Sequence, residues 1–277
     1  MENVSKILET QPKIISKRRY VFLKSFSKLT NAEQDQVNLY EETHPNKPNQ
    51  YNLDYIESLK TKKQVNIPPI QKKWLWESFL RSYLQNSNNA FIQNSDTLEN
   101  IKPLVFYFLD DFENFKQCAT VSKLSAPSLD KGLLIVGNYG NGKTSIFKAL
   151  ESVLKPTKKT FKFLSTNNLV SMFESCADQY AKDDFYNLVY TGTRYFDDVK
   201  TERMASNYGK TELMKDILEE RYTRQKTTYL SCNYNDKYPN NLQEALQDFG
   251  IKYGARVYDR MFEMFNIIQF KGQSFRK

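Results

Sequence analysis

A chain of 277 residues with one histidine, His44, has almost no imidazole to work with. That argues against a histidine-based triad and against a transition-metal site. Three cysteines, Cys118, Cys176 and Cys232, lie far apart and form no C-x-x-C pair. They argue against a disulfide framework and a zinc site, and for free thiols in a reducing compartment. Long apolar runs are missing as well. The stretch 104–109 is purely apolar but spans far fewer than the roughly 20 residues that cross a bilayer. The opening residues 1–6 lack the apolar core of a signal peptide. The expectation is a cytoplasmic protein with no membrane partner.

Hydrophobic residues make up 40% of the chain, enough for a substantial core. The net charge is +8 and is uneven: residues 1–95 hold 14 basic and 9 acidic side chains, a surplus of 5. That surplus suits nucleic acid or an acidic partner, and equally an ordinary lysine-rich surface.

The most informative stretch is GNYGNGKT at 137–144, which fits G-x-x-x-x-G-K-[ST]. Such a loop must turn tightly and press bare backbone N–H groups against phosphate oxygens, which side chains would obstruct. The expected phosphate-binding set is Gly137, Asn138, Tyr139, Gly140, Asn141, Gly142, Lys143, Thr144 and Ser145. Lys143 would reach the β- and γ-phosphates of ATP, and the Thr144 hydroxyl would hold Mg²⁺. An apolar run at 133–136 precedes the loop. A helical pattern follows it, with Ile146, Ala149, Leu150 and Val153 on one face.

Around this loop the chain divides by pattern. Residues 20–23 read as a short strand or a helical turn, and Thr30 to Glu33 as a capping box opening a helix to about Glu42. Further helices are expected at 53–62 and 70–85, the latter with Trp74, Trp76, Phe79, Leu80 and Tyr83 as its apolar positions. The Asn/Ser-rich stretch 86–94 reads as a linker. It implies a small, basic, mainly helical N-terminal domain at 1–95 and a second domain at 96–277. Asp96 to Glu99 reads as another capping box, and Pro103 is expected to kink the helix after it or mark its first turn. Beyond the loop, strands are expected at 161–164, 193–197, 227–232 and 266–270. Helices are expected at 167–180, 210–224, 241–249 and 254–265. Strands alternating with helices imply an α/β fold with a parallel sheet covered on both faces.

Three more features carry chemistry. Asp197 and Asp198 end a strand downstream of the loop, where a Walker B element belongs. Asp197 would bind Mg²⁺ and Asp198 would polarise the attacking water. Asn233 ends the next strand and suits a γ-phosphate sensor, with Asn235 as a nearby rival. Arg256 and Arg260 share one helix face, and like charges at that spacing repel. An anionic partner, such as a neighbouring subunit's γ-phosphate, would relieve the repulsion and make one of them an arginine finger. Pairing with Asp259 or Glu263 is the plainer alternative.

The strings GNYGNGKT at 137–144, DD at 197–198, EERY at 219–222, TYLSCN at 228–233, YGAR at 253–256, DRM at 259–261 and KGQSFR at 271–276 resemble the DnaC-type helicase loaders and the related IstB transposition helpers. The likeness spans about 130–277, and KGQSFR is its most specific part. It implies an AAA+ core with a five-stranded parallel sheet and no C-terminal lid. It also implies Asn233 as sensor 1, and Arg260 as the finger assisted by Arg256. Two positions depart from the pattern. Asp198 stands where AAA+ enzymes usually carry Glu, which allows slow hydrolysis. Val199 and Lys200 replace the Ile/Leu-Gly that often follows.

The resemblance implies an ATPase that loads a DnaB-type replicative helicase onto single-stranded DNA, self-associating with ATP and gripping the helicase through the N-terminal domain. The rival readings are an IstB-like transposition helper and a nucleotide-gated scaffold that scarcely hydrolyses ATP. A P-loop small-molecule kinase is disfavoured, because it needs a lid to exclude water.

Overall fold

A computed structural model describes residues 15–24, 26, 29–44, 69–207 and 209–276. The chain divides into two compact units, 1–66 and 67–277.

In the first unit, α1 (Lys17–Lys24) covers residues that read from sequence as a strand or a helical turn. The Thr30 cap forms as expected: its hydroxyl accepts from the Glu33 N–H while the Glu33 carboxylate accepts from the Thr30 N–H, opening α2 (Asn31–Thr43). Tyr20 stacks on Tyr40 at 4.4 Å and donates to Glu41 at 2.7 Å. Leu23 and Val37 are buried beside them. The helix expected at 53–62 lies outside the described residues.

The second unit is built on five strands: β1 (Gly132–Gly137), β2 (Lys162–Ser165), β3 (Arg194–Asp197), β6 (Thr228–Cys232) and β7 (Phe265–Phe270). They form one sheet in the order β2-β3-β6-β1-β7. Every pairing is parallel. β4 (Ala205–Ser206) and β5 (Lys210–Thr211) make a separate antiparallel ribbon. No helix follows β7 among the described residues.

Alternation along the strands assigns side chains to two cores. Leu133 and Ile135 of β1 enter one, and Leu134 and Val136 the other. Each such burial contributes about 2 kcal/mol. The first core is covered by α3 (Lys72–Ser87), α4 (Ser95–Phe108), α5 (Phe112–Lys116) and α6 (Lys143–Leu154). The second is covered by α7 (Thr166–Glu174), α8 (Gln179–Tyr190), α9 (Leu213–Thr223), α10 (Leu242–Tyr253) and α11 (Ala255–Met264). Gly132 opens β1 where no other residue fits, since a Cβ there would lie 1.8 Å from the Thr228 carbonyl.

Several sequence expectations need correction. The division falls at 66/67 rather than 95, because α3 packs on the P-loop helix α6. Ser82 donates to the Ala149 carbonyl at 3.2 Å, and Asn86 reaches the Lys148 carbonyl at 3.4 Å. Leu75 and Phe79 are buried in the same core as Ile146 and Leu150, while Trp74 is 39% exposed. The cap of α4 sits two residues upstream of the predicted one: Asn94 accepts from the Thr97 N–H at 2.9 Å. Pro103 then lies buried inside that helix, past its first turn. The helix expected at 167–180 ends at Glu174, and a second helix that the sequence reading did not assign follows at 179–190, capped by Asp178, which accepts from the Ala181 N–H.

Candidate functional site

The loop between β1 and α6 wraps around one ammonium group. Lys143 Nζ donates to the carbonyls of Gly137 and Asn138, both at 2.8 Å, and approaches Asn141 Oδ1 at 3.3 Å. From the neighbouring strand it meets Asn233 Oδ1 at 2.9 Å. Burial disfavours the charged form, so the Lys143 pKa is pushed down to about 8. Gly140 has φ +72, and a Cβ on it would lie 2.2 Å from Ser274 Oγ, so glycine is required twice over.

β1 and β3 bring their chemistry to the same ends of the sheet. The Thr144 hydroxyl lies 2.9 Å from Asp197 Oδ2. The other carboxylate oxygen of Asp197 accepts from Tyr195 Oη at 2.9 Å and Ser231 Oγ at 2.8 Å. Tyr195 is fully buried, which together with Asp197 pushes its pKa well up and keeps it a donor. Asp198 has a left-handed backbone, φ +62, a conformation that Asp tolerates better than most residues. Its Oδ1 accepts from Asn233 Nδ2 at 2.7 Å. Asn233 therefore joins Lys143 to Asp198, and Asn235 turns away to Asp248 at 3.0 Å.

These groups line a cleft of about 600 Å³. The P-loop residues from Tyr139 to Ser145 form its floor, with Asp197, Asp198, Ser231 and Asn233 on one side. Tyr83, Phe91, Ile92 and Thr97 form a wall the sequence reading missed, because those residues stood in or beside the supposed linker. Phe275 and Arg276 also line the cleft, and the Phe275 N–H donates to the Gly140 carbonyl at 3.0 Å. The closing string at 271–276 was legible in the sequence, but its place against the P-loop was not. Asn138 lies at the edge, donating to Asn240 at 2.9 Å.

Arg256 and Arg260 are not in this cleft. The Arg260 guanidinium sits 4.4 Å from the centre of the Tyr222 ring. Arg256 is 69% exposed and 4.0 Å from Glu219. Among the described residues neither arginine forms an ion pair with Asp259 or Glu263, and Glu263 instead accepts from Tyr222 Oη at 2.7 Å.

Neither a protein-family model nor a curated protein sequence matches the chain. Among solved structures, it is similar to a DnaC helicase loader: 19% identical, over 69% of this chain and 99% of that one, with a TM-score of 0.48. It is also similar to DnaI: 16% identical, over 71% of this chain and 93% of that one, TM-score 0.44. A third is AMPPCP-bound DnaA from Aquifex aeolicus: 15% identical, over 65% of this chain and 48% of that one, TM-score 0.42.

Thr144 and Asp197 present two hard oxygen donors at one point, a set suited to Mg²⁺ shared with phosphates. Among the described residues no cluster of three or more His, Cys, Asp or Glu side chains forms a self-sufficient metal cage. No described helix is long and apolar enough to cross a membrane.

Proposed function

We propose that the chain is an ATP-dependent loader of a replicative DNA helicase, acting on single-stranded DNA as an assembly of several copies. The observation that carries the ATPase part is the meeting of Lys143, Thr144, Asp197, Asp198 and Asn233 at one cleft, from three separate stretches of sequence.

The roles follow from chemistry and position. Lys143 exchanges its carbonyl acceptors for phosphate oxygens. Thr144 and Asp197 would hold Mg²⁺, which would offset charge on the phosphates. Asp198 orients and polarises a water, and Asn233 sets the position of that carboxylate. Tyr195 and Ser231 fix Asp197. Arg276 adds a cation from the same chain. The wall of Tyr83, Phe91 and Ile92 gives a base an apolar face to lie against.

Arg256 and Arg260 lie outside their own cleft, where they can serve that of a neighbouring copy as a finger and its assistant. The loading role rests on the resemblance of the motifs at 130–277 and on the basic surplus of the first 95 residues. Capture of the chain from its native host with ATP tests it. A replicative helicase in the eluate supports the loader, and a transposase in its place overturns it in favour of a transposition helper.

A further inference from the structure

Lys200 adopts a glycine-like, left-handed backbone, φ +78. Asp198, two residues earlier, is left-handed too. Two such residues in one short turn hold their shape only if the surroundings enforce it.

Helix α10 supplies that enforcement. Lys200 Nζ donates to Asp248 Oδ2 at 2.9 Å and to the Ala245 carbonyl at 3.0 Å. The Lys200 N–H donates to Tyr253 Oη at 2.9 Å. Lys252 Nζ donates back to the Lys200 carbonyl at 3.0 Å. The second oxygen of Asp248 accepts from Asn235 Nδ2 at 3.0 Å.

The symmetry of this arrangement is informative. β3 and β6 are neighbours, and each ends at a candidate catalytic side chain, Asp198 or Asn233. Two residues past each is a polar side chain, Lys200 or Asn235, and a single carboxylate holds both. Its two oxygens therefore fix the spacing between the turns that carry Asp198 and Asn233.

We propose that Asp248 and Lys200 are positioning residues for ATP hydrolysis. Their ion pair holds Asp198 and Asn233 in register without touching nucleotide. Neither side chain lines the cleft. Neither belongs to the two apolar cores, and they are only 24% and 12% exposed, so each variant's folding is checked alongside its rate. The proposal rests on the ATPase reading of the same site.

The test compares Asp248→Ala, Lys200→Met and Lys200→Arg with the unaltered 277-residue chain. ATP affinity, kcat and thermal unfolding are measured for each. A small displacement of reacting groups costs rate far more than affinity. Asp248→Ala and Lys200→Met should lose about tenfold to a hundredfold in kcat, with ATP affinity changed by less than about threefold. Lys200→Arg, which keeps the cation, should retain most of the rate. Unchanged kcat in Asp248→Ala, or equal loss in Lys200→Met and Lys200→Arg, overturns the proposal. So does a loss of affinity matching the loss of rate. An unaltered chain that binds ATP but never turns it over overturns the ATPase reading and this inference with it. Normal turnover in all four proteins removes the inference alone.

Discussion

The hydroxyl of Thr144 and the Oδ2 of Asp197 lie 2.9 Å apart although 53 residues separate them in the chain. The parallel pairing of β1 with β6 and of β6 with β3 makes this meeting possible. Tyr195 and Ser231 both donate to the Oδ1 of Asp197, which leaves Oδ2, beside the Thr144 hydroxyl, to serve a cation. Asp197→Ala should bind ATP within about tenfold of normal, yet lose the Mg²⁺ dependence of turnover along with most of the turnover itself. Hydrolysis titrated against Mg²⁺ checks this. A variant with an unshifted Mg²⁺ profile would remove Asp197 from the metal site.

Lys143 gives a pH dependence with a definite sign. Its pKa in the free protein is about 8, because burial disfavours the ammonium. Phosphates favour the ammonium, so the pKa rises on binding. ATP affinity should be flat below pH 8 and fall by up to about tenfold per unit above it, with proton uptake on binding. Stability of the free protein moves the other way. Between pH 8 and 10.5 the unfolded chain holds a proton that the folded one releases, so folding gains stability as pH rises there. Calorimetric titrations at pH 7 and 9, in buffers of different ionisation heat, measure the affinity and the proton count. Equal affinity at both pH values would contradict the account.

Arg260→Ala should bind ATP normally as a monomer, since Arg260 stacks on Tyr222 and lies outside its own cleft. Its hydrolysis should fall roughly a hundredfold or more, at the low side of the range for a finger because Arg256 is one turn away. Mixing it with Lys143→Ala protein should restore some activity, because one interface then joins an intact P-loop to an intact finger. Weak ATP binding by the isolated variant would place Arg260 in cis.

Helix α3 belongs to the nucleotide-binding unit. Phe79 is 1% exposed and meets Phe91 edge-on at 5.1 Å. Phe79→Ala should cost about 3–5 kcal/mol of stability, read by denaturant unfolding. A fragment at 67–277 should stay soluble and bind ATP. One beginning at residue 96 loses Leu75, Phe79 and Phe91 together and should aggregate. A well-folded 96–277 fragment would restore the boundary read from sequence.

The central site was legible because its chemistry is local in sequence. A phosphate loop needs glycines and one lysine within eight residues, and a strand-ending Asp-Asp is visible as such. What stayed hidden depends on contacts distant in the chain. Leu75, Phe79 and Ser82 look like part of a separate helical domain until α3 is seen against α6. The Asn/Ser-rich stretch reads as a linker, yet Asn94 is the cap of α4 and Ile92 lines the cleft. The role of Asn235 was undecidable from spacing alone, since only the position of Asp248 separates it from Asn233. Helix α8 was missed because the sequence reading carried the preceding helix past Asp178, the residue that caps α8, and assigned nothing to 181–190.

The most direct measurement is calorimetric titration of ATP with Mg²⁺ into the unaltered chain and into Lys143→Ala, with folding verified by circular dichroism. Lys143 is the cation that the P-loop encloses, meeting the Gly137 and Asn138 carbonyls and Asn233. The account predicts saturable binding by the unaltered chain and none that is measurable in an equally folded Lys143→Ala protein. Equal ATP affinity in the two proteins would contradict it.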